Sequence, residues 1–334
     1  MPRMPPESGD TPRNPPGRIL HRPRDLGGRP AWNSGDLAIA GSLLALLPAA
    51  WLLPERSWRG LTRFAARLPL VDRESLARTA LAIGQCRAGT DAAQAMTIAL
   101  DLQAAVYELR LQNLRAWRPG GWQPRANVNV SGLAHLDAAR TAGRGAVLWV
   151  GHFAFNSNIT KMALAARGYG LAHLSRPEHG FSKTQLGIAM LNPVRCIPED
   201  RHLRERIVFD RRNPVPAMRR MVAILNENGL LSITAGAWEG SDLMEGALLD
   251  GRVKIALGAP RLAALTGAAL LPVFTVREAD GGFRVAVEAP ITLPSRPDRR
   301  AAECAAAQAY LARHEPWIAR YPDQWRGWKE WQPA

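Results

Sequence analysis

The spacing of apolar residues divides the chain. Residues 1–36 are rich in Pro, Arg and Gly, have almost no apolar periodicity, and read as disordered. Residues 37–54, LAIAGSLLALLPAAWLLP, then run without a charge, with Pro48 inside the run. As a helix rising ~1.5 Å per residue the run spans about 27 Å, just short of a ~30 Å hydrocarbon core. Over 55–68, Trp58, Leu61, Phe64, Ala65 and Leu68 recur at helical spacing, while Arg56, Arg59, Arg63 and Arg67 line another face. Residues 72–118 are rich in Ala, Leu and Gln, lack Pro and read as helical; Gly120, Gly121 and Pro124 break the pattern.

From Asn127 onward, short apolar runs alternate with helical stretches. AVLWV (146–150), LAHL (171–174), VRCI (194–197), LLSIT (230–234), ALLPVFTV (269–276) and FRVAVE (283–288) read as strands. Residues 134–142, 159–166, 217–226, 261–266 and 301–320 read as helices, and Gly143, Gly168, Gly229 and Gly267 stand where left-handed helix caps are wanted. The alternation predicts an α/β fold: a largely parallel central sheet flanked by helices, preceded by an N-terminal helical membrane-associating segment. The expected organisation is a disordered tail (1–36), an anchor with an amphipathic helix (37–70), a helical segment (71–125) and an α/β body (126–331). No internal repeat, GxGxxG or GxxxxGK[ST] occurs, so dinucleotide and P-loop readings have no support.

Composition sharpens this picture. With 334 residues, 47% hydrophobic and 22% charged, the chain can bury a sizeable core. Cys86, Cys196 and Cys304 are far apart and form no CxxC, which argues against a disulfide framework or structural zinc. The formal charge is +14. That suits an anionic membrane, an acidic protein partner or nucleic acid, but the chain lacks a helix-turn-helix or RNA-recognition signature, so no nucleic-acid partner is expected. The apolar run reads best as a membrane-inserted or re-entrant anchor, with a buried core helix as the alternative. The arginine-flanked helix after it suits an interfacial position on anionic lipid; a surface helix packed on its own domain stays open.

In such sheets ligands lie beyond the carboxyl ends of the strands. His152 follows AVLWV by one residue beyond Gly151 and is placed to act as a general base; a hydrogen-bonded structural histidine is the alternative. Glu239 follows LLSIT and either orients His152 or holds a substrate hydroxyl, unless it is only an exposed loop acid. Asn156, Ser157 and Ser241 are placed to shape a pocket. Arg176 and Arg252 stand near strand ends as ligand contacts or oxyanion stabilisers, alongside backbone N–H groups near Gly151. The densest basic stretch, 201–220, suits a phosphate or a carrier protein's acidic helix, or else a solvated face. Cys196, inside a predicted strand, reads as buried and inert.

VLWVGHF (147–153), SITAGAWEGS (232–241), GRVKIALGAPRLAALTGAALLPVFTVRE (251–278) and EPWIARYPDQWRGWKEW (315–331) together resemble the lipid A biosynthesis acyltransferases, of the lysophospholipid acyltransferase superfamily. The resemblance spans roughly 37–331. It implies acyl transfer from acyl carrier protein or acyl-CoA, with no other cofactor and no metal, to a hydroxyl or amine of a lipid or lipid-like acceptor. The expected place is the cytoplasmic face of the bacterial inner membrane. That family's histidine begins a His-x4-Asp/Glu motif; His152 matches, whereas Ser157 stands where the acid belongs. A neutral Ser cannot stabilise an imidazolium by charge. Three explanations stay open: another acid, Glu239 first; a more nucleophilic acceptor; or a catalytically inactive relative that binds lipid or serves as a scaffold.

Overall fold

The computed structural model describes residues 18–21, 28–68, 72–87, 89–124, 127–236, 240, 242–293 and 298–334. It opens with β1 (Arg18–His21) and four helices: α1 (Ser34–Leu52), α2 (Glu55–Ala66), α3 (Arg73–Cys86) and α4 (Ala92–Arg115). Next come β2 (Val128–Ser131), α5 (Leu133–Thr141) and β3 (Ala146–Val150), then a π-helical turn (Asn156–Thr160) running into α6 (Lys161–Ala165). β4 (Leu171–Ser175), α7 (Gln185–Met190), α8 (Pro193–Asp200), β5 (Glu205–Val208), α9 (Val215–Asn226) and β6 (Leu230–Thr234) follow. The hairpin β7 (Asp242–Leu248) and β8 (Gly251–Ala256) precedes α10 (Gly258–Thr266), β9 (Ala269–Arg277) and β10 (Phe283–Val287). The chain closes with α11 (Arg299–Arg320), a 3-10 turn (Arg326–Lys329) and β11 (Gln332–Pro333).

The main sheet has seven strands in the order β2-β10-β9-β3-β6-β4-β5. β9, β3, β6, β4 and β5 run parallel, and β10 turns back antiparallel to β9. β3 lies at the centre with all five residues buried. Alternation sends Val147 and Trp149 into one core and Ala146, Leu148 and Val150 into the other. A strand covered on both faces reads as a continuous apolar run, as AVLWV does. A smaller antiparallel sheet, β1-β7-β8-β11, pairs Arg18–His21 with residues 242–245.

Asp72, Asp91 and Asp298 each accept a backbone N–H at a helix start, and Asn33 forms a capping box with Asp36. At the expected glycine caps, Gly143, Gly168 and Gly267 have positive φ. Before Gly229 the left-handed residue is Asn228, whose side-chain oxygen accepts from Gly145 N at 2.9 Å.

Three expectations need correction. The apolar run 194–197 is helical, within α8: Pro193 stands in its first turn, and a four-residue apolar run does not distinguish strand from helix. Cys196 is therefore on a helix, half-buried, its thiol 3.1 Å from the His179 carbonyl. The stretch expected to lack structure through residue 36 is tied down over its last part. Gln185 N and Leu186 N donate to the carbonyls of Pro30 and Ala31, at 3.0 Å each, and Arg29 pairs with Glu178. Residues 1–17 and 22–27 lie outside the described residues.

α1 is long and apolar enough, by length and composition, to cross a membrane. It lies along α4, yet Leu37, Leu44 and Leu52 are exposed, so it is no buried core helix. Its last carbonyls would otherwise lack donors; Arg115 donates to Ala50 O and Leu53 O, and Arg118 to Trp51 O. α2 splits its apolar stripe. Trp58 is buried under the Arg115 guanidinium, while Phe64 and Leu68 stay exposed. Arg63 reaches Asp101 of α4 with two hydrogen bonds of 2.8 Å. Packing on its own domain thus takes half of the helix.

Candidate active site

The parallel strands β3, β4 and β6 end at one edge of the sheet, and their exits supply the site. Beyond β3, Gly151 leads to His152. A Cβ at Gly151 would come within 2.7 Å of the Phe274 ring, so the close approach of the two segments requires glycine here. The C-terminal segment is laid across this exit. Arg326 N donates to His152 O at 2.9 Å, Ala154 N to Gln324 O at 2.8 Å, and Phe153 bridges Trp325. Gln324 is fixed in turn: its amide oxygen accepts from Arg277 N at 2.7 Å and its amide nitrogen donates to Arg277 O at 2.8 Å. The two motif blocks that are distant in sequence, VGHF and PDQWR, therefore form one surface.

His152 lines a cavity of about 120 Å³. Asn156, Ser157 and Thr160 enter it from the π-helical turn, a distortion that often re-aims side chains at functional sites. Lys161, His173, Arg176, His179, Arg195, Ser232, Thr234 and Arg326 complete its polar wall. Burial first, then Arg326, Arg195, Arg176 and His314, hold the His152 imidazole well below its usual pKa, so at neutral pH the ring is neutral. Ser157, six per cent exposed, has a hydroxyl oxygen with no hydrogen-bond partner among the described residues.

One wall of the cavity is built on Glu199 of α8. This fully buried carboxylate accepts from Lys161 Nζ at 2.7 Å, His179 Nε2 at 2.9 Å, Arg195 Nε at 2.8 Å and Arg206 Nη2 at 3.1 Å. Burial pushes the carboxyl up, but Lys161, His179 and Arg195 outweigh it and hold it well below the ordinary range. Burial brings Lys161 down to about 8 and His179 to about 4, against the pull of Glu199 in both cases. His173 donates to or accepts from Ser232 at 3.3 Å. Among the described residues no group of three His, Cys, Asp or Glu stands close enough to hold a metal.

The structure thus brings His152, Asn156, Ser157 and Arg176 to one cavity. Arg252 is not part of its wall; it lies on β8, with Glu245 at 3.6 Å and Pro333 O at 3.4 Å. Glu239 and Ser241 lie outside the described residues. The 201–220 arginines are not one face: Arg206 serves Glu199 and Asp200, Arg220 pairs with Glu205, and Arg201 donates to Ala116 O. Sequence reasoning missed Lys161, His173, Arg195, Glu199 and Arg326 as parts of the site. It also missed Glu330, which shares two neighbouring clefts with His152. The available signal was their position near strand exits and in the C-terminal QWR block.

No curated protein sequence matches this chain. Among solved structures it is similar to the 1-acyl-sn-glycerophosphate (LPA) acyltransferase PlsC from Thermotoga maritima. That match has 12% identity and a TM-score of 0.34, and it covers 85% of this chain and 97% of that one. Residues 40–329 match the family described as bacterial lipid A biosynthesis acyltransferase. The match takes in most of α1, the exit of β3 with His152 and the C-terminal strap laid over it, and by it the chain belongs to the bacterial lipid A biosynthesis acyltransferase family.

Proposed function

We propose that this protein moves a fatty acyl chain from a thioester, on acyl carrier protein or coenzyme A, to a hydroxyl or amine of a lipid acceptor. His152 is the general base. Its neutral ring takes the proton from the acceptor O–H or N–H as the heteroatom attacks the thioester carbonyl. The tetrahedral oxyanion faces Arg176; the backbone N–H groups of Gly151, Phe153 and Ala154, also expected for this role, already donate to the carbonyls of Val273, Gly151 and Gln324. It collapses by expelling the thiolate, which receives the proton from His152, so no cofactor beyond the thioester is consumed. The observation that carries this reading is a neutral histidine at the central strand's exit, in a polar cavity roofed by the C-terminal strap.

Membrane association is part of the same proposal. The exposed leucines of α1, together with Phe64 and Leu68 and with Arg56 and Arg59 of α2 and Arg67 just after it, suit insertion at the anionic cytoplasmic face of the inner membrane. A second reading, an inactive lipid-binding relative, draws on Ser157 at the acid's place in the motif.

Mass spectrometry of lipid extracts from cells carrying wild type, His152→Ala or Glu239→Ala separates them. A product heavier by one acyl chain, absent with His152→Ala, supports the base. Persistence of the product with Glu239→Ala removes Glu239 from the mechanism. Identical extracts from all three would favour the inactive relative.

A further inference from the structure

Ser157, Asn158 and Thr160 of the π-helical turn are all buried. Two of them have found protein partners. Asn158 Nδ2 donates to Asn113 Oδ1 at 2.9 Å, and Thr160 Oγ1 lies 2.6 Å from Thr275 Oγ1. Ser157 Oγ has no hydrogen-bond partner among the described residues, and it stands in the cavity wall with His152. A serine inside a helix ordinarily bonds back to the carbonyl four residues before it. Here that carbonyl, of Phe153, is left to Asn156 N at 3.4 Å. A buried hydroxyl in this state is unfavourable by about 1–3 kcal/mol. Stability therefore gives no reason for a hydroxyl at position 157, whereas contact with a substrate does.

The wall supplies what a nucleophile there needs. An alcohol attacks a thioester carbonyl once a base takes its proton. His152 lies five residues before Ser157 in the same wall, and its neutral ring has a lone pair to receive that proton. The other serine of the wall, Ser232, sits inside β6 and is joined to His173 Nδ1 at 3.3 Å. Ser157 is thus the serine of this cavity whose hydroxyl is not engaged by the fold.

We propose that Ser157 is a nucleophile that carries the acyl chain as an ester between donor and acceptor. The proposal deepens the acyl-transfer reading and rests on it for the donor thioester. The single attack on the thioester is divided into two. In the first, His152 takes the Ser157 Oγ proton, Oγ bonds to the thioester carbonyl carbon, the C–S bond breaks, and the thiolate receives the proton from His152. In the second, His152 takes the acceptor proton and the acceptor heteroatom bonds to the ester carbonyl carbon. The C–Oγ bond then breaks, and Oγ receives the proton. The sum is the same transfer with the serine regenerated, and no further reactant is consumed. The burial of Ser157 shields the ester from water until the acceptor arrives.

The test mixes the full chain in detergent with dodecanoyl-coenzyme A or dodecanoyl-acyl carrier protein, without acceptor, and quenches in acid at times from milliseconds to minutes. Intact mass spectrometry should show a gain of one dodecanoyl group, and peptide mapping should place it on Ser157. A burst of one thiol per chain should accompany it. Ser157→Ala and His152→Gln should lose the gain. Ser157→Cys should carry the chain as a thioester that hydroxylamine removes. In lipid extracts from cells, Ser157→Ala should cut the acylated product more than ~thousandfold.

Thermal melting separates chemistry from folding. Because the hydroxyl makes no bond, Ser157→Ala should melt no lower than wild type; a lower melting temperature would assign the hydroxyl to the fold and overturn the proposal. An acyl group on another residue, or wild-type product levels with folded Ser157→Ala, would overturn it as well. Product in cell extracts with no acyl-enzyme from either donor would remove the covalent step and leave direct transfer standing. Acylated Ser157 with no acceptor product would keep the covalent step and remove the transfer reading.

Discussion

The backbone N–H of Arg326 donates to the carbonyl of His152 at 2.9 Å, so the C-terminal strap and the loop that carries His152 are hydrogen-bonded as two short strands would be. Phe153 and Trp325 extend the pairing, and Trp325 is three per cent exposed, packed edge-on against Trp328 at 4.8 Å. The strap is held by aromatic burial, and through it the position of His152.

Trp325→Ala should therefore lose about 3–5 kcal/mol of stability. At a temperature where the variant is still folded, its acyl-transfer rate should fall further than in an equally destabilised variant on α10, such as Leu262→Ala. Equal rates in the two variants would mean that the strap only stabilises the fold.

Glu199 is the one buried carboxylate that gathers Lys161, His179, Arg195 and Arg206. Glu199→Gln leaves buried cations without their counter-charge, and removing one partner of a buried ion pair costs about 3–5 kcal/mol. Urea denaturation should show a loss of this size. A loss under ~1 kcal/mol would mean that water replaces the carboxylate.

Acid should weaken the fold before the carboxylates titrate. His152, His173, His179 and His314 are all held below the ordinary histidine value of 6.5, chiefly by burial, with His179 at about 4 and His314 at about 3. Below pH 6.5 the unfolded chain binds protons that the folded chain refuses, so stability falls as pH falls. The loss continues down to about pH 4 for His179 and about pH 3 for His314. The urea midpoint should decline from pH 7.5 to 5, less steeply in His314→Phe, whose ring suits the pocket beside Phe153 and Phe274. A flat profile would contradict this balance.

The two-residue turn between β7 and β8 has both Leu249 (φ 51°) and Asp250 (φ 52°) in the left-handed region. Hairpins of this kind favour glycine at the second position. Asp250→Gly should stabilise the protein by about 1 kcal/mol, read as a rise in the melting temperature. A fall would show that the Asp250 side chain contributes more than its backbone strain costs.

Exposed Phe64 and Leu68 should bind lipid. Replacing both by Glu should cut sedimentation with anionic vesicles at least ~tenfold, because each buried apolar side chain contributes about 1.5–3 kcal/mol. Unchanged binding would assign membrane attachment to α1 alone.

Much of this was legible in the chain. Five predicted strands appear at the positions where AVLWV, LAHL, LLSIT, ALLPVFTV and FRVAVE stand, because strands in a sheet covered on both faces consist mostly of apolar residues. His152 was legible from its place after the central strand. Strands β2, β5, β7 and β8 were not: β2 and β5 are four-residue strands at the edges of the main sheet, and β7 and β8 mix polar with apolar residues inside the smaller one. α8 hid behind an apolar run too short to reveal its period, and with it Glu199.

The α/β class, the apolar first helix, the family resemblance and the histidine at a strand exit can all be read along the chain. Each follows from local pattern: runs of buried residues, helical spacing and motif blocks in order. The meeting of Arg326 with His152, the gathering of Lys161, His179, Arg195 and Arg206 on Glu199, and the separate place of Arg252 emerge in the folded molecule alone. These relations join segments far apart in the chain, and only strand order, register and helix packing bring such segments into contact.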